Sequence, residues 1–238
     1  MSEIVEIAEI NSIKKSNYRV LTGISGAGFI GNTALMYIVR SKNYPLVAEV
    51  KSKLIPPTVL LMEGKPVHSF RIYLDDKDDL IFLVSEALIA PEKTWEVGLK
   101  LLEWLNRKGV TSFVSIEGMP FSTGEEKFVY GFALPHRQLA QFGVNNIMEG
   151  GVSGINAVLL DGALEGKIPW TSLFVPTPFM SSIDYGGTAA VVEVLNKMYK
   201  FGVDVKPLKQ TSEMRRQMAT RPAQEKRRGL MDSLRRRK

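Results

Sequence analysis

A glycine-rich run in the first fifth of the chain has the spacing of a nucleotide-binding turn. Gly26, Gly28 and Gly31 fit the pattern G-x-G-x-x-G. In dinucleotide-binding proteins this pattern follows a strand and opens a helix, and the absent side chains let a pyrophosphate approach the backbone. Residues 18–23 favour a strand and residues 32–40 favour a helix, so these glycines are the candidate cofactor-binding residues.

The residues of this run resemble the corresponding residues of the extended short-chain dehydrogenases, but the residues around it differ from those of that family. In those enzymes the Thr-Gly pair that ends the strand lies two residues closer, whereas here Thr22-Gly23 is followed by an additional Ile24-Ser25. The one Tyr-x-x-x-Lys of this chain, Tyr73 to Lys77, falls in a predicted hairpin instead of a distant helix. We therefore predict that the glycines serve a tight turn and close backbone packing, with no cofactor bound.

Other candidate catalytic residues lack the partners that their chemistry needs. Ser25 and Ser153 lie in runs that miss the last glycine of a nucleophile elbow, so we predict that they cap the helices that follow. Glu117 and Glu149 each end a predicted strand just before a glycine, where open α/β sheets bind ligands. They are conceivable as an acid/base pair, but we favour the interpretation that both carboxylates accept hydrogen bonds from turn amides.

Strand-like and helix-like segments alternate along most of the chain. This alternation predicts an α/β fold, a doubly wound, mostly parallel sheet with helices on both faces. Residues 67–74 and 80–84 flank an Asp-rich cluster at 75–79, which predicts one antiparallel hairpin. The cluster lacks the glycine and distal glutamate of a Ca²⁺ loop, and we expect no metal site there. Residues 91–107 are predicted to be a helix with one apolar face, made of Trp95, Leu99, Leu102 and Leu105.

The net charge of +6 is concentrated at one end of the 238-residue chain. Residues 206–238 hold 12 Lys and Arg against 3 Asp and Glu, a charge of +9, which leaves −3 for the other residues. We divide the chain into a single α/β domain at 1–207 and a basic, helical or partly disordered C-terminal tail at 208–238. The tail has no aromatic residue on which a base could stack, so we expect a protein partner and no nucleic acid.

The tail carries a sparse apolar stripe on a basic helix, a pattern that favours contact with a partner surface. The candidate partner-binding residues are Met214, Arg215, Met218, Leu230, Met231 and Leu234.

Several features restrict the compartment and the chemistry. Cysteine is absent, which excludes disulfides, thiolate metal sites and thiol catalysis. The first residues are acidic and alternating instead of resembling a signal peptide. No run of about 18 apolar residues occurs, so we expect no membrane partner and a cytoplasmic location.

Read together, five segments resemble the proteasome assembly chaperone family of the second-subunit type, including its archaeal members. They span about residues 18–210, in the order found in that family. The segments are residues 20–31, Glu117-Gly118-Met119-Pro120, Tyr130-Gly131-Phe132-Ala133, Gly151-Val152-Ser153-Gly154-Ile155-Asn156, and Asp184-Tyr185-Gly186-Gly187 with the residues after it up to Leu208.

The resemblance implies a doubly wound fold similar to that of nucleoside phosphorylases and related hydrolases. It also implies self-association into a homo-oligomer. The implied function is non-enzymatic: assistance in assembling proteasome α-subunits, or binding of related assembly factors. An alternative is a nucleoside- or nucleotide-binding enzyme or sensor with a phosphorylase-like fold. Some relatives end in a hydrophobic-tyrosine-any tripeptide that docks between ring subunits, whereas this sequence ends in Arg236-Arg237-Lys238. Docking of the tail by that mode is left open.

Overall fold

The structure, a computed structural model, describes residues 4–121 and 127–218. The strands are β1 (Val5–Glu9), β2 (Tyr18–Ile24), β3 (Leu46–Ser52), β4 (Val59–Met62), β5 (Lys65–His68), β6 (Phe70–Asp75), β7 (Leu80–Ser85), β8 (Val110–Pro120), β9 (Val129–Leu134), β10 (Val144–Asn146) and β11 (Trp170–Thr177). The α-helices are α1 (Ile30–Lys42), α2 (Thr94–Lys108), α3 (Gly154–Glu165), α4 (Tyr185–Tyr199) and α5 (206–218).

One large mixed sheet forms the centre of the molecule. Its strand order is β1-β3-β6-β7-β2-β8-β11-β9-β10, and β4 pairs only with β5 in a small projecting hairpin. The four central strands β7, β2, β8 and β11 are parallel to one another. β1, β3 and β6 lie antiparallel to their neighbours on one side, and β9 is antiparallel to β11 on the other. The predicted fold class is confirmed, and the antiparallel pairing extends beyond the predicted β6–β7 hairpin to both sides of the sheet.

Helices cover both faces of this sheet. α1 and α4 pack on one face, and α2 and α3 pack on the other. A buried apolar cluster lies between the sheet and each pair of helices. Every residue of β6, β7 and β11 is buried, as expected for strands between two helical layers. Residues 4–10 alternate apolar residues with Glu, a pattern that predicts an edge strand, and β1 is an edge strand of the sheet.

The predicted apolar face of α2 is wrong for Trp95 and Leu99, whereas Leu102 and Leu105 do pack against the core. Trp95 and Leu99 are 54% and 53% exposed, whereas Leu105 is buried. The buried stripe of α2 instead consists of Val97, Leu101, Trp104 and Leu105. Gly98 and Gly162 explain this orientation, because they let α2 and α3 approach closely: a Cβ at Gly98 would lie 2.7 Å from Val158, and one at Gly162 would lie 2.1 Å from Leu102.

The first part of the basic tail is an ordered helix that packs on the body. α5 begins at residue 206, and Leu208 is buried in the apolar cluster beneath α1 and α4. The guanidinium of Arg215 lies 4.6 Å from the ring centroid of Tyr185, at the start of α4. Since α4 runs away from the loop after β11 and α5 returns along it, Arg215 and its neighbours on α5 lie near the edge at which the parallel strands end.

Two further observations concern membranes and metals. Across residues 4–121 and 127–218, no helix has the length and apolar character needed to cross a membrane. The same residues contain no cluster of three or more His, Asp or Glu side chains that could hold a metal ion. The Asp-rich loop at 75–79 is the predicted hairpin turn, in which Asp75 Oδ1 accepts hydrogen bonds from the amides of Lys77 and Asp78.

Candidate functional site at the carboxyl edge of the sheet

The four parallel strands end at one edge of the sheet, which we call the carboxyl edge. A cavity of about 340 Å³ lies there, between the loop after β2, the end of β8 and the start of α3. This is the position at which open α/β sheets bind ligands. Its polar lining residues are Ser25, Thr94, Glu117, Ser153 and Asn156.

The glycine-rich turn forms one wall of this cavity, and close packing accounts for most of its glycines. A Cβ at Gly23 would lie 2.4 Å from the carbonyl oxygen of Gly31, and one at Gly118 would lie 1.9 Å from that of Ala27. Gly28 has a φ of +64°, in the left-handed region that favours glycine. Gly26 alone among these glycines has open space beside it. The predicted tight turn with close backbone packing is confirmed.

Glu117 belongs to a buried polar network beside the cavity. Ser115 lies two residues before it on the same face of β8, and its register neighbours on β2 and β11 are Thr22 and Ser172. All three hydroxyl residues are fully buried. Ser115 Oγ donates to Glu117 Oε1 at 3.2 Å and lies 3.0 Å from Ser172 Oγ.

Asn156, in the first turn of α3, completes the network. Its Oδ1 accepts a hydrogen bond of 2.7 Å from Thr22 Oγ1, and its side chain also hydrogen-bonds to Glu117. Burial raises the pKa of Glu117 to about 7, against the opposing effect of the hydrogen bonds from Ser115 and Asn156. Near neutral pH the carboxyl group is therefore present in both protonation states, and it can donate or accept a proton.

The structure does not bring Glu117 and Glu149 together. Glu149 is exposed in the loop beyond the end of β10 and lines a separate cavity with Phe132 and Gly150. The partners of Glu117 are side chains, so the predicted hydrogen bonds from turn amides are wrong for this residue. β8 also continues for three residues past Glu117, which places the carboxylate within the strand and not in the turn.

The predicted helix caps at Ser25 and Ser153 are also wrong. Ser153 occupies the N-cap position of α3, but its side chain makes no capping hydrogen bond. Ser25 lies five residues before α1, and its hydroxyl donates to the carbonyl of Ser85 and accepts from the Asn32 side chain. These contacts hold the loop after β2 against the end of β7.

Exposed apolar side chains surround the carboxyl edge. They lie on the loops that follow β7, β8 and β11 and are between 43% and 61% exposed: Leu88, Phe121, Phe179 and Met180. Large apolar side chains grouped on loops at one edge are characteristic of protein-binding surfaces. The sequence did not reveal them, because an isolated apolar residue in a loop has no periodicity.

Three of the candidate partner-binding residues lie on the last turns of α5, near the same edge. Met214 and Met218 are 53% and 69% exposed, while Arg215 stacks on Tyr185. Leu230, Met231 and Leu234 lie outside the described residues. A groove of about 580 Å³ separates α5 from α1, with Phe29, Met36 and Leu208 among its lining residues.

Comparison with known proteins places the chain in a family. The family model of the PAC2 family matches residues 20–221. The chain belongs to the PAC2 family.

Solved structures support this membership. Pyrococcus furiosus PbaA, an archaeal homolog of proteasome-assembly chaperone, is 25% identical to this chain, with a TM-score of 0.78 over 91% of this chain and 95% of PbaA. The monoclinic crystal form of PbaA gives a TM-score of 0.82 over 98% of both chains. A Thermoplasma acidophilum protein of unknown function is 26% identical, with a TM-score of 0.72, covering 90% of this chain and 91% of that one.

The chain is also similar in sequence to a further archaeal protein. An uncharacterized protein of Methanocaldococcus jannaschii is 25% identical over 212 residues, which cover 87% of this chain and 86% of the relative. The resemblance found in the sequence is therefore confirmed.

Three of the five segments that resemble the family meet at the carboxyl edge. Glu117-Gly118 packs against the glycine turn through Ala27, and the backbone amide of Asp184 donates to the carbonyl of Gly28 at 2.9 Å. Asp184 also caps α4 by accepting from the amide of Gly187, and it forms an ion pair with Lys127 at 2.8 Å. These three segments thus interlock into one scaffold, and the cavity and the apolar loops lie on it.

Proposed function

We propose that this PAC2-family chain is a non-enzymatic, protein-binding assembly chaperone that assists proteasome α-subunit assembly. The observation that carries the proposal is the likeness to PbaA over nearly the whole chain, at 25% identity and a TM-score of 0.78. The fold likeness to a second Pyrococcus furiosus protein, the archaeal proteasome activator PbaB, is consistent with it at 17% identity and a TM-score of 0.76.

The carboxyl edge is the surface that we propose for client binding. Its loops expose Leu88, Phe121, Phe179 and Met180, and large apolar and aromatic side chains are the usual energetic centre of a protein interface. Residues 214–218 of α5 lie near the same edge and precede residues whose net charge is strongly positive. A client surface with an apolar centre and an acidic border would complement both features.

We further propose that the chain forms a homo-oligomer. Trp95 and Leu99 lie one turn apart on the outer side of α2, and both are more than half exposed. Trp is the residue type most enriched among energetically dominant interface positions. Trp95 follows Thr94, which lines the carboxyl-edge cavity, so this face adjoins the proposed client surface at the start of α2.

Binding to α-subunits is tested by size-exclusion chromatography of the full chain mixed with unassembled α-subunits. We expect co-elution at micromolar concentration, and weaker co-elution of the Phe179→Ser, Met180→Ser double variant. Leu164→Ser is the matched control, because Leu164 is 56% exposed at the far end of α3. Absence of co-elution for the unmodified chain, or equal loss in the control, would contradict the proposal.

A second candidate function is binding of a nucleoside or nucleotide in the carboxyl-edge cavity. The observation that favours it is Glu117, whose pKa of about 7 leaves a carboxyl group that can both donate and accept beside a cavity of about 340 Å³. Thermal denaturation with a panel of nucleosides, NAD and ATP tests it. A stabilisation that Glu117→Gln abolishes would support this function, and no shift with any compound would exclude it.

A further inference from the structure

A second polar cavity lies at the opposite edge of the sheet, where the parallel strands begin. Its volume is about 310 Å³, within the lower range of small-molecule sites. The starts of β2, β8 and β11, the loop after β9 and the end of α4 form its walls. The family membership and the proposed client surface assign no role to this cavity.

The charged lining of this amino-edge cavity is entirely basic. Arg19 and Arg137 both line it, together with His136, and no Asp or Glu is among its lining residues. Neither guanidinium forms an ion pair with a carboxylate of residues 4–121 or 127–218. Asp79, on the neighbouring loop, accepts from the Ser16 hydroxyl and not from Arg19. Two cations without carboxylate partners beside one cavity are an arrangement that suits an anion.

Tyr199, at the end of α4, lines the same cavity beside Arg19. The Cζ atom of Arg19 lies 5.3 Å from the centre of the Tyr199 ring. Burial raises the pKa of the Tyr199 hydroxyl to about 12, while the positive charges of Arg19 and Arg137 both act to lower it. Tyr199 and both arginines thus line one cavity, and the Tyr199 hydroxyl remains protonated at neutral pH.

Each guanidinium retains donors for a ligand. Arg19 Nη2 donates to the backbone carbonyl of Asp78 at 2.9 Å, and Arg137 Nη2 donates to Thr171 Oγ1 at 2.9 Å. A guanidinium has five N–H donors, so most of them are not used by these two contacts. The contacts instead fix the direction of each side chain, which favours the bidentate geometry that phosphate and carboxylate groups accept.

The remaining walls are apolar and aromatic. Phe142 and Tyr199 are half-buried aromatic residues of the lining, beside Leu134 and Met198, while Phe113 and Trp170 lie in the core beneath it with ring centroids 5.2 Å apart. Such walls suit a planar ring attached to the anion. The C-terminal carbonyls of α4 carry a partial negative charge of about one half, which opposes an anion but is smaller than the two full positive charges of the arginines.

We propose that the amino-edge cavity is a binding site for a phosphate or carboxylate group carried on a planar apolar ring, with Arg19 and Arg137 holding the anion and the aromatic walls holding the ring. This site is distinct from the carboxyl edge, so its presence or absence leaves the proposed chaperone function unaffected.

The proposal is tested by isothermal titration calorimetry of the full chain with four probes. 1-Naphthyl phosphate and 1-naphthoate carry the ring and the anion, 1-naphthol carries the ring alone, and inorganic phosphate carries the anion alone. We expect at least one of the two complete probes to bind about tenfold or more tightly than either partial probe, with an affinity that falls as ionic strength rises. The stronger of the complete probes identifies the anion as phosphate or carboxylate.

Variants assign the binding to this cavity. Arg19→Met and Arg137→Met each remove one charge while keeping an unbranched side chain, and each should weaken binding of the stronger probe by about tenfold or more. Arg107→Met is the matched control, because Arg107 is an exposed arginine on α2 that pairs with Glu103. Equal affinity of all three variants, or no binding of either complete probe at millimolar concentration, would overturn the proposal. Circular dichroism checks that each variant is folded.

Discussion

Thr22 and Asn156, which are 134 positions apart in the sequence, are joined by a buried hydrogen bond of 2.7 Å. This bond ties the first turn of α3 to the central strand β2. It also directs the Asn156 side chain toward Glu117, so the position of the carboxyl group depends on a contact between two distant segments. The candidate site is therefore a product of the assembled sheet and helix layer.

Removing the amide of Asn156 should destabilise the fold. Asn156→Ala leaves the buried Thr22 hydroxyl and the Glu117 carboxyl each without one hydrogen-bond partner, and we expect a loss of about 1–3 kcal/mol in the free energy of unfolding. Urea denaturation monitored by circular dichroism measures it. Asn106→Ala, at an exposed position near the end of α2, is the control, and an equally small effect of both substitutions would show that the network contributes little.

The stability of the protein should depend on pH through Glu117. Its pKa is raised from 4.5 to about 7 by burial, so its protonation favours the folded state. This contribution is fully present below about pH 4.5 and is lost as the pH rises through about 7, with a slope of at most about 1.4 kcal/mol per pH unit. To isolate the contribution of Glu117, the free energy of unfolding is measured at several pH values for the unmodified chain and for Glu117→Gln, and the two are subtracted. A difference that stays constant between pH 5 and pH 8 would contradict this assignment.

The glycine turn should respond very differently to alanine at two of its positions. Gly118→Ala would place a Cβ 1.9 Å from the backbone oxygen of Ala27, which cannot move without displacing the turn, so we expect a loss of about 3 kcal/mol or failure to fold. Gly26→Ala should be tolerated, because its Cβ would enter open space and its φ of −161° is extended backbone. Thermal denaturation of both variants tests this difference. Strong destabilisation by Gly26→Ala would contradict it and would show that this position requires glycine.

Removal of the basic tail should change the assembly state. We expect deletion of residues 209–238 to change the number of subunits per assembly, measured by light scattering, because α5 packs on the body and exposes Met214 and Met218. Met214→Ser combined with Met218→Ser should reproduce part of the change without removing the helix. The same number of subunits before and after truncation would refute a role of the tail in assembly.

Local patterns in the sequence predict much of this fold. The alternating residues of β1 predict an edge strand, and the Asp-rich cluster at 75–79 predicts the β6–β7 hairpin, since each depends on neighbouring residues alone. The glycine turn is also predictable, because a strand, three spaced glycines and a helix follow one another. The predicted absence of a bound cofactor there stays a prediction.

The features that could not be predicted depend on contacts between distant segments. α2 carries two apolar stripes, and the approach of α3 at Gly98 decides which one is buried. The network around Glu117 needs β2, β8, β11 and α3 in register, and no local pattern contains that information. The amino-edge cavity likewise joins Arg19 to Arg137, which are far apart in sequence.

The most direct test of the proposed chaperone function is the rate at which α-subunits assemble into rings. Native mass spectrometry can follow ring formation from unassembled α-subunits with and without a substoichiometric amount of the full chain. The account predicts faster ring formation with the unmodified chain and with Leu164→Ser, and a reduced effect with the Phe179→Ser, Met180→Ser variant. An assembly rate that is the same with and without the unmodified chain would contradict it.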